Sequence, residues 1–248
     1  MEHAHDTTTL TAAHDPMGAA IMDYQTAGRA DTLRVRSSMF DDDEMPVPYL
    51  FRTVEEMPPL ERRALEMARG RVLDVGAGAG CHALALQQRD VDVTAIDISP
   101  LSCRAMALRG VQQAVCINLM DPRLTPAYDT ILMLMNGTGI AGKVSRLPRL
   151  LDRLGQLLAP GGQVLIDSSD LSYVYTDDEG HMDIDLDGAY YGEVDYQMSY
   201  RGIEGQPFDW LYIDYPLLAS IASQCGWHCQ QVAQGSHYDY LAQLTRQI

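Results

Sequence analysis

The chain has 248 residues, 46% of them hydrophobic, which is enough to bury the core of one large domain or two small ones. Its 18 basic and 34 acidic residues give a formal net charge of −16, which disfavours nucleic acid and anionic membrane surfaces as partners. No stretch reaches the roughly 20 apolar residues of a membrane span, and the start lacks a secretory signal pattern, so we expect a cytoplasmic protein.

Residues 1–56 are predicted to be a tail and lid segment ahead of the main domain. Residues 1–20 are polar and have no hydrophobic period, which predicts a frayed tail. Residues 21–52 combine an acidic run with a proline-broken stretch, which favours a lid over a ladder of strands. The main domain is predicted to span residues 57–248 and to begin with a helix over residues 60–68.

From residue 71 onward, short apolar runs alternate with helical patterns, which is typical of βαβ units. Strands are predicted at residues 71–75, 91–96, 114–117, 130–135 and 163–167, and after a final helix at residues 228–233 and 238–244. Helices are predicted at residues 82–88, 101–108, 145–158 and 217–224, and the sequence Ala-Pro-Gly-Gly at 159–162 is expected to end the third of these. The pattern predicts an α/β fold with a mostly parallel seven-stranded sheet and helices on both faces.

An insertion of about residues 170–214 separates the fifth strand from the final helix, and it is too long for an ordinary connection. Its runs at residues 193–200 and 208–213 predict a β-hairpin that turns through the glycine-containing residues 202–205. We expect this insertion to form a cap that carries function or contacts.

The sequence predicts no metal site. Residues 183–188 superficially match the start of a calcium loop, but Glu193 stands one place before the position of the bidentate ligand. The alternation at residues 182–186 favours an amphipathic strand instead. An odd number of cysteines without a framework spacing indicates reduced thiols, and these are Cys81, Cys103, Cys116, Cys225 and Cys229. The last two flank His228 but lack the second ligand pair that is typical of structural zinc.

A glycine-rich turn follows the first predicted strand of the sheet. The segment that runs from Asp74 through Gly76, Gly78 and Gly80 lets backbone N–H groups approach a ligand closely. Asp97, at the end of the second strand, can accept hydrogen bonds from both ribose hydroxyls of a nucleoside. A dinucleotide fingerprint would require glycine where this chain has Cys81, so the spacing disfavours a nicotinamide cofactor.

The G-x-G-x-G pattern after an acidic strand resembles the first motif of class I, Rossmann-like, S-adenosylmethionine-dependent methyltransferases. The resemblance extends over about residues 71–170 and includes an acidic second motif at residues 95–99. It also includes the fourth-strand motif at 128–132 and the motif before the fifth strand at 158–162. It implies a Rossmann-like fold, S-adenosylmethionine as the cofactor and methyltransferase activity.

The resemblance also implies roles for individual residues. Asp74 would orient the loop and the methionine end of the cofactor, Asp97 would hold the ribose, and Ile98 would contact the adenine. Asn118 stands near the position where the family often has an aspartate that binds the adenine amine. Asp121 is an alternative residue for that role, and Asn118 would then only cap a turn. The complete set implied for the cofactor is Asp74, Gly76, Ala77, Gly78, Asp97, Ile98, Asn118, Leu119, Met135 and Asn136.

No catalytic residue is assigned, because the sulfonium is a good methyl donor and the protein mainly has to position the acceptor and exclude water. Asn136 either orients a nucleophile or forms the turn after the fourth strand. His82 either contacts the carboxylate region of the cofactor or only begins a helix. His181, Tyr190 and Tyr191 in the insertion are candidate proton acceptors or walls.

The acceptor is expected to be a small molecule, and charge favours an amine. Residues 170–215 contain twelve acids against one base, Arg201, interleaved with aromatic residues that suit a cationic ligand. The other interpretation is a solvated acidic face above aromatic residues that pack inward or form a homodimer contact. The chain lacks the Asn-Pro-Pro-Tyr and Asp-Pro-Pro-Tyr signatures of enzymes that methylate exocyclic base amines. Two functions other than methyl transfer are kept as alternatives for this chain. One is a catalytically silent binding or interaction subunit, and the other is an NAD-dependent oxidoreductase.

Overall fold

The computed structural model describes residues 7–125, 127–177, 179, 181 and 188–247. The helices are α1 (Pro16–Ala27), α2 (Pro59–Met67), α3 (Cys81–Gln87), α4 (Pro100–Arg109), α5 (Leu147–Leu157) and α6 (Tyr215–Gln224). The strands are β1 (Leu33–Arg36), β2 (Asp43–Met45), β3 (Val72–Val75), β4 (Val93–Asp97), β5 (Ala114–Cys116), β6 (Tyr128–Met133), β7 (Leu158–Ser169), β8 (Glu193–Tyr200), β9 (Ile203–Glu204), β10 (Phe208–Leu211), β11 (Trp227–Gln234) and β12 (Asp239–Arg246). Short 3-10 helices lie at Ala12–His14, Val47–Phe51, Val54–Glu56, Gly137–Ala141, Val144–Arg146 and Leu171–Tyr175.

The larger sheet has seven strands in the order β11-β12-β7-β6-β3-β4-β5. Parallel pairing joins β7, β6, β3, β4 and β5, while β12 runs antiparallel to both β7 and β11. Strand β3, the middle one of the five parallel strands, is buried along its whole length, as expected for an apolar strand with helices on both faces of its sheet. The predicted α/β fold with a mostly parallel seven-stranded sheet is therefore confirmed.

Each face of this sheet has its own core. One core contains Leu73, Ile131 and Val164 together with five leucines of α5, which recur three or four residues apart and are all buried. The opposite core contains Val72 and Leu165 together with apolar residues of α2, α3 and α4. Successive residues of a strand therefore face different sets of helices, which decides the side of the sheet on which a polar side chain lies.

A second, antiparallel sheet has the order β10-β8-β1-β2, and β9 also pairs with β8. We call it the cap sheet. It contains the predicted hairpin of the insertion, with Tyr196 opposite Phe208. The prediction that residues 21–52 form no strand ladder is wrong, because β1 pairs with both β2 and β8 and places Arg34 opposite Ser199. Pairing partners so far apart in the chain leave no local pattern that could reveal them.

Helix α1 corrects the prediction that the chain begins with a frayed tail, although the first six residues lie outside the described part. The Asp15 carboxylate caps this helix by accepting a hydrogen bond from the Gly18 N–H at 2.9 Å. Ile21 is completely buried and packs in one cluster with Ala105 of α4. The small residues of α1 suit close helix packing but give the sequence little hydrophobic contrast, so its burial is not visible as a period.

Smaller differences concern element boundaries. Strand β7 begins at Leu158, directly after α5, so the sequence at 159–162 lies inside a strand instead of a loop. The predicted strand and calcium-like loop at 182–188 fall almost entirely outside the described residues.

Within the described ranges, no helix combines the length and apolar content that a bilayer crossing requires. All five cysteines are free thiols, and no cluster of three metal-binding side chains is found in the part of the chain that the structure describes.

Candidate functional site

The glycine loop after β3 has an open space above it. Gly76, Gly78 and Gly80 all have positive φ, at 69°, 56° and 80°, a conformation that disfavours any residue with a Cβ. A Cβ on Gly78 would meet no atom within 4 Å, and one on Gly76 would first meet Ile140, at 3.7 Å. The loop therefore leaves room for a ligand, and it is fixed to β4 by the Gly76 N–H, which donates to the Ile96 carbonyl at 2.9 Å.

Asp97 lies at the end of β4, and two backbone donors orient its carboxylate. The Gly78 N–H donates to Oδ2 and the Ser99 N–H donates to Oδ1, both at 2.8 Å. Each oxygen keeps a lone pair for a further donor, so two neighbouring hydroxyls fit this group. Burial raises the pKa of Asp97 to about 6, against the effect of the two N–H groups, and the negative charges of Asp15 and Asp74 add to the increase. The carboxylate is therefore charged at neutral pH.

Asp74, at the centre of the sheet, carries an unsatisfied oxygen. Its side chain is 1% exposed, and Oδ2 has no hydrogen-bond partner among the described residues. Burial raises the pKa of Asp74, whereas the charge of His82 and the Ala83 N–H oppose the increase. A buried carboxylate oxygen without a donor is costly, so this atom fits a site where a bound group supplies the missing donor.

A buried ion pair lies on the same side of the sheet and involves the lid. Arg52 Nε lies 3.1 Å from Glu61 Oε2, and His82 Nε2 lies 2.8 Å from the same oxygen. All three side chains are about 95% buried. Burial alone would raise the pKa of Glu61, but the hydrogen bonds and charges of His82 and Arg52 outweigh it and hold that pKa below its usual value. The Nε2 atom of His82, a candidate cofactor contact in the sequence, is thus already engaged by Glu61.

The turn after β6 adopts an unusual backbone conformation beside the glycine loop. Met135 and Asn136 both have positive φ, at 65° and 60°, which non-glycine residues rarely adopt and which often marks a functional site. The Asn136 amide donates to the Leu211 carbonyl at 3.2 Å, and its oxygen accepts the Ser168 hydroxyl at 2.8 Å. The Asn136 side chain therefore holds this turn against the cap and β7.

Asp167, near the end of β7, is a site residue that the sequence analysis missed. Its two oxygens accept hydrogen bonds from the Met135 N–H at 3.1 Å and the Gly137 N–H at 2.9 Å. Asp167 is two positions from Leu165 along its strand, so its side chain lies on the side of the sheet covered by α2 and α3. The only signal in the sequence is an acid at the end of an apolar strand, and a strand end alone is too common a place for polar residues to identify it.

Asp167 lies among charges of both signs. Burial raises its pKa to about 6 against the two backbone N–H groups, and the charge of Glu61 adds to the increase whereas the charge of His82 opposes it. Among the described residues, no Lys, Arg or His side chain forms an ion pair with it. Burial also raises the pKa of Tyr49, followed by the charges of Glu61 and Asp167, so this lid residue is within electrostatic reach of the same carboxylate.

The residues predicted for the adenine end differ in their availability. Ile98 is 39% exposed, whereas Leu119 is buried in the core that contains Leu73 and the leucines of α5. The Asn118 side chain accepts the Met120 N–H at 2.9 Å and donates to the Thr8 carbonyl at 3.2 Å. The alternative, Asp121, is bound to Arg123, whose hydrogen bonds hold the pKa of Asp121 at about 2.

Many acids in the described part of the insertion are engaged in local contacts. Asp214 caps α6 and accepts the Tyr190 hydroxyl at 2.7 Å, and Asp170 accepts the Tyr191 hydroxyl at 2.8 Å. Asp209 forms exposed ion pairs with Lys143 and Arg146. Asp195 binds Ser38 across the cap sheet, and His181 is an exposed side chain that contacts Asp177. The two tyrosine hydroxyls proposed as proton acceptors are therefore donors to carboxylates here.

The fold and the site define a class of protein. The profile of a family described as a methyltransferase domain matches residues 48–213. A similar crystal structure is that of a SAM-dependent methyltransferase from Bacteroides fragilis in complex with S-adenosyl-L-homocysteine. The two sequences are 52% identical, and the two structures superpose with a TM-score of 0.93. The match covers 99% of this chain and 100% of that one. The chain therefore belongs to the class I S-adenosylmethionine-dependent methyltransferases.

More distant structures share the fold alone. The CcbJ methyltransferase from Streptomyces caelestis has a TM-score of 0.59 at 14% identity, covering 79% of this chain and 93% of its own. The sugar N-methyltransferase KedS8 from a Streptoalloteichus species has a TM-score of 0.55 at 16% identity, covering 80% of this chain and 88% of its own. No sequence among the curated proteins matches the chain significantly.

Proposed function

We propose that this protein transfers the methyl group of S-adenosylmethionine to a small-molecule acceptor, with an amine as the acceptor group. The observation that carries the cofactor part is the coupling of Asp97 to the glycine loop. The Gly78 N–H holds a charged carboxylate beside an open space, which is the arrangement that two ribose hydroxyls require.

The residues of this chain fit the cofactor at three places. Asp97 would accept the ribose hydroxyls, and Ile98 would offer an apolar surface to the adenine. Asp74 would provide negative charge near the methionine end, where the cofactor carries an ammonium group that could supply the missing donor. The Bacteroides fragilis protein, 52% identical over the full chain, is described in complex with S-adenosyl-L-homocysteine, which supports the same ligand here.

When bound, S-adenosylmethionine supplies an electrophilic methyl group, and the protein's part is to orient the two reactants and exclude water. Asp97 and Asp74 would fix the ribose and the methionine end of the cofactor relative to the sheet. The turn at Met135 and Asn136, held by Asp167 and the cap, would form the wall beside the reacting atoms. The fixed backbone of this wall requires no rearrangement during the reaction, which is how positioning lowers a barrier.

The proposal of an amine acceptor rests on Asp167 and not on the acidic insertion. In the insertion, Asp170 and Asp214 are engaged by tyrosine hydroxyls. Asp167 instead forms no ion pair with a Lys, Arg or His side chain among the described residues, although the charge of His82 opposes the rise in its pKa. A carboxylate that lacks an ion-pair partner favours a protonated amine as ligand.

Asp167 would also address a difficulty of amine substrates. A protonated amine has no lone pair for attack, so it must first lose a proton. With a pKa of about 6, Asp167 is charged at neutral pH and can accept that proton directly or through water. The same charge would thus bind the amine and assist its activation.

A methyl-transfer screen tests the acceptor class. Purified protein would be incubated with S-adenosylmethionine and a panel of amines, carboxylates, phosphates and nucleic acids, and products would be detected by mass spectrometry as the gain of one methylene unit. We expect turnover with amines. Turnover only with anionic acceptors would contradict the amine assignment, and tight cofactor binding without any product would favour a catalytically silent protein.

Substitution of Asp167 tests its role. Asp167→Asn should lower kcat for an amine about 100-fold, the lower range for loss of an acid–base group, and should remove the fall in kcat/KM that protonation of Asp167 in the free protein causes below about pH 6. Because Asp167 also holds the turn at Met135, affinity for S-adenosylhomocysteine and thermal unfolding would be measured on the same variant. Loss of cofactor binding and of stability, with an unchanged pH profile for the remaining activity, would assign Asp167 to the turn alone.

A further inference from the structure

The chain segment before α1, residues 8–15, lies across the adenine end of the site. The Leu10 N–H donates to the Ile98 carbonyl at 2.8 Å. Two residues earlier, the Thr8 carbonyl accepts a hydrogen bond from the Asn118 amide at 3.2 Å. We call residues 8–15 the strap. It spans from the end of β4 to the end of β5, the two strands between which the resemblance places the adenine.

A buried hydrogen-bond chain anchors the other end of the strap to the ribose-binding acid. Asp15 is completely buried, and its Oδ2 accepts the Ser99 hydroxyl at 2.6 Å. The Ser99 hydroxyl oxygen in turn accepts the Ser102 N–H at 2.8 Å, and the Ser99 backbone N–H donates to Asp97 at 2.8 Å. The strap therefore touches the site at three points: beside the ribose acid, at Ile98 and at Asn118.

We propose that the strap is part of the cofactor site and forms the outer wall of the adenine slot, an inference that rests on the proposed function. The two side chains that the family pattern offers for the adenine edge are occupied within the chain, since Asn118 binds Thr8 and Asp121 binds Arg123. Asn118 then acts on the adenine through the strap, as a positioning residue, instead of contacting the base itself.

The chemistry of the strap suits a purine nucleoside. The adenine ring would lie between the exposed Ile98 side chain and the backbone at Thr8 to Leu10, where carbonyl oxygens, each able to accept two hydrogen bonds, can bind the exocyclic amine. This wall also explains why Ile98, a large apolar residue, is left 39% exposed at the end of β4. Removing the strap should therefore weaken ligands that contain adenine.

Binding of S-adenosylhomocysteine by calorimetry tests the proposal on a protein that lacks residues 1–10 but keeps Asp15 and α1. We expect affinity to fall about tenfold, which corresponds to the loss of roughly one net hydrogen bond with its apolar cover. Asn118→Ala should weaken binding by a similar factor in the full chain and by nothing further in the shortened chain, because both changes remove the same wall. Thermal unfolding would establish that the shortened chain is folded.

A matched pair of substitutions keeps the test valid if the shortened chain does not fold. Leu10→Pro removes the N–H that binds Ile98, whereas Leu10→Ala keeps it, so only the first should weaken S-adenosylhomocysteine binding. Equal losses from Asn118→Ala in the full and shortened chains would overturn the proposal, because Asn118 would then contact the adenine directly. Unchanged or tighter binding by the shortened chain, or equal effects of the two Leu10 substitutions, would also overturn it. Absence of binding by the full chain would instead refute the proposed function.

Discussion

The seven-stranded sheet and the cap sheet are assembled from the chain in different ways. In the larger sheet, the cofactor residues follow one another over short distances, as Asp74, the glycine loop and Asp97 do. The cap sheet instead joins β1 and β2 from the beginning of the chain to β8 and β10 from the insertion. The cofactor half is thus encoded by a local motif, and the half proposed to face the acceptor depends on long-range pairing.

Because the two sheets are encoded separately, the cofactor-binding residues and the side chains of the cap can change independently of each other. A methyltransferase needs the same cofactor geometry for every acceptor, and a compact motif preserves it. The cap sheet packs on the larger sheet through β10, whose Leu211 lies in one core with Ile131 and Leu154, so its other side chains can change without altering the glycine loop. Asn136 binds the Leu211 carbonyl of that strand, and the lid is joined separately through the pair of Arg52 with Glu61. Changes in each half should therefore affect different measurements.

The largest effect is expected at the buried ion pair that joins lid and sheet. Glu61→Ala would leave the Arg52 charge buried and unpaired, which should lower the free energy of unfolding by about 3–5 kcal/mol. Urea unfolding would measure the change. The matched control is Glu66→Ala in the same helix region, since Glu66 forms an exposed pair with Arg63 at 3.4 Å and its loss should cost less than about 0.5 kcal/mol. Equal effects of the two substitutions would show that the buried pair between lid and sheet does not stabilise the fold more than an exposed pair does.

The next largest effect is expected in the cofactor half. Asp97→Ala should weaken binding of S-adenosylmethionine and S-adenosylhomocysteine about 100-fold, since two charge-assisted hydrogen bonds to the ribose are lost. Asp92→Ala is the control, because Asp92 is an exposed acid near the start of the same strand, and it should leave affinity unchanged. Calorimetry that gave the same affinity for Asp97→Ala and the unaltered protein would remove the ribose assignment.

The sequence made most of the cofactor half predictable and little of the cap. The strands of the larger sheet, Asp97 at the end of its second strand and the hairpin at residues 193–213 all carry local patterns. The pairing of β1 with β8 and the burial of α1 do not, because both depend on partners far along the chain. Asp167 was missed for the same reason, since its importance comes from the N–H groups of the neighbouring β6 turn.

A smaller effect is expected where the cap packs on the sheet. A Cβ on Gly139 would collide with the indole ring of Trp210 in β10, so Gly139→Ala must displace this side chain. We expect a loss of about 1–3 kcal/mol in unfolding free energy, typical of overpacking, and slower methyl transfer with almost unchanged affinity for S-adenosylhomocysteine. The double variant with Trp210→Phe has more room and should recover part of both losses. A strong loss of cofactor affinity in Gly139→Ala would contradict the separation of the two halves.

The smallest expected effect, counted for each pH unit, is the change of cofactor affinity with pH. The pKa of Asp97 is raised from 3.8 to about 6 by burial, with Asp15 and Asp74 adding to the increase. Ribose hydroxyls donate to the carboxylate and favour its charged form, so below about pH 6 the protein must release a proton in order to bind. Affinity should therefore be constant above about pH 7 and fall up to tenfold for each pH unit below 6. The contribution of Asp97 to folding has the opposite sign: the folded chain binds the proton more tightly than the unfolded chain, so stability falls as pH rises from about 4 to 6.

Calorimetry in buffers of different ionisation enthalpy would count the proton that Asp97 releases when the cofactor binds. Asp97→Asn has no carboxylate to titrate and should bind weakly with little dependence on pH. If that variant kept the acid-dependent loss of affinity, the titrating group would lie elsewhere, and Asp97 would have to be charged throughout this range.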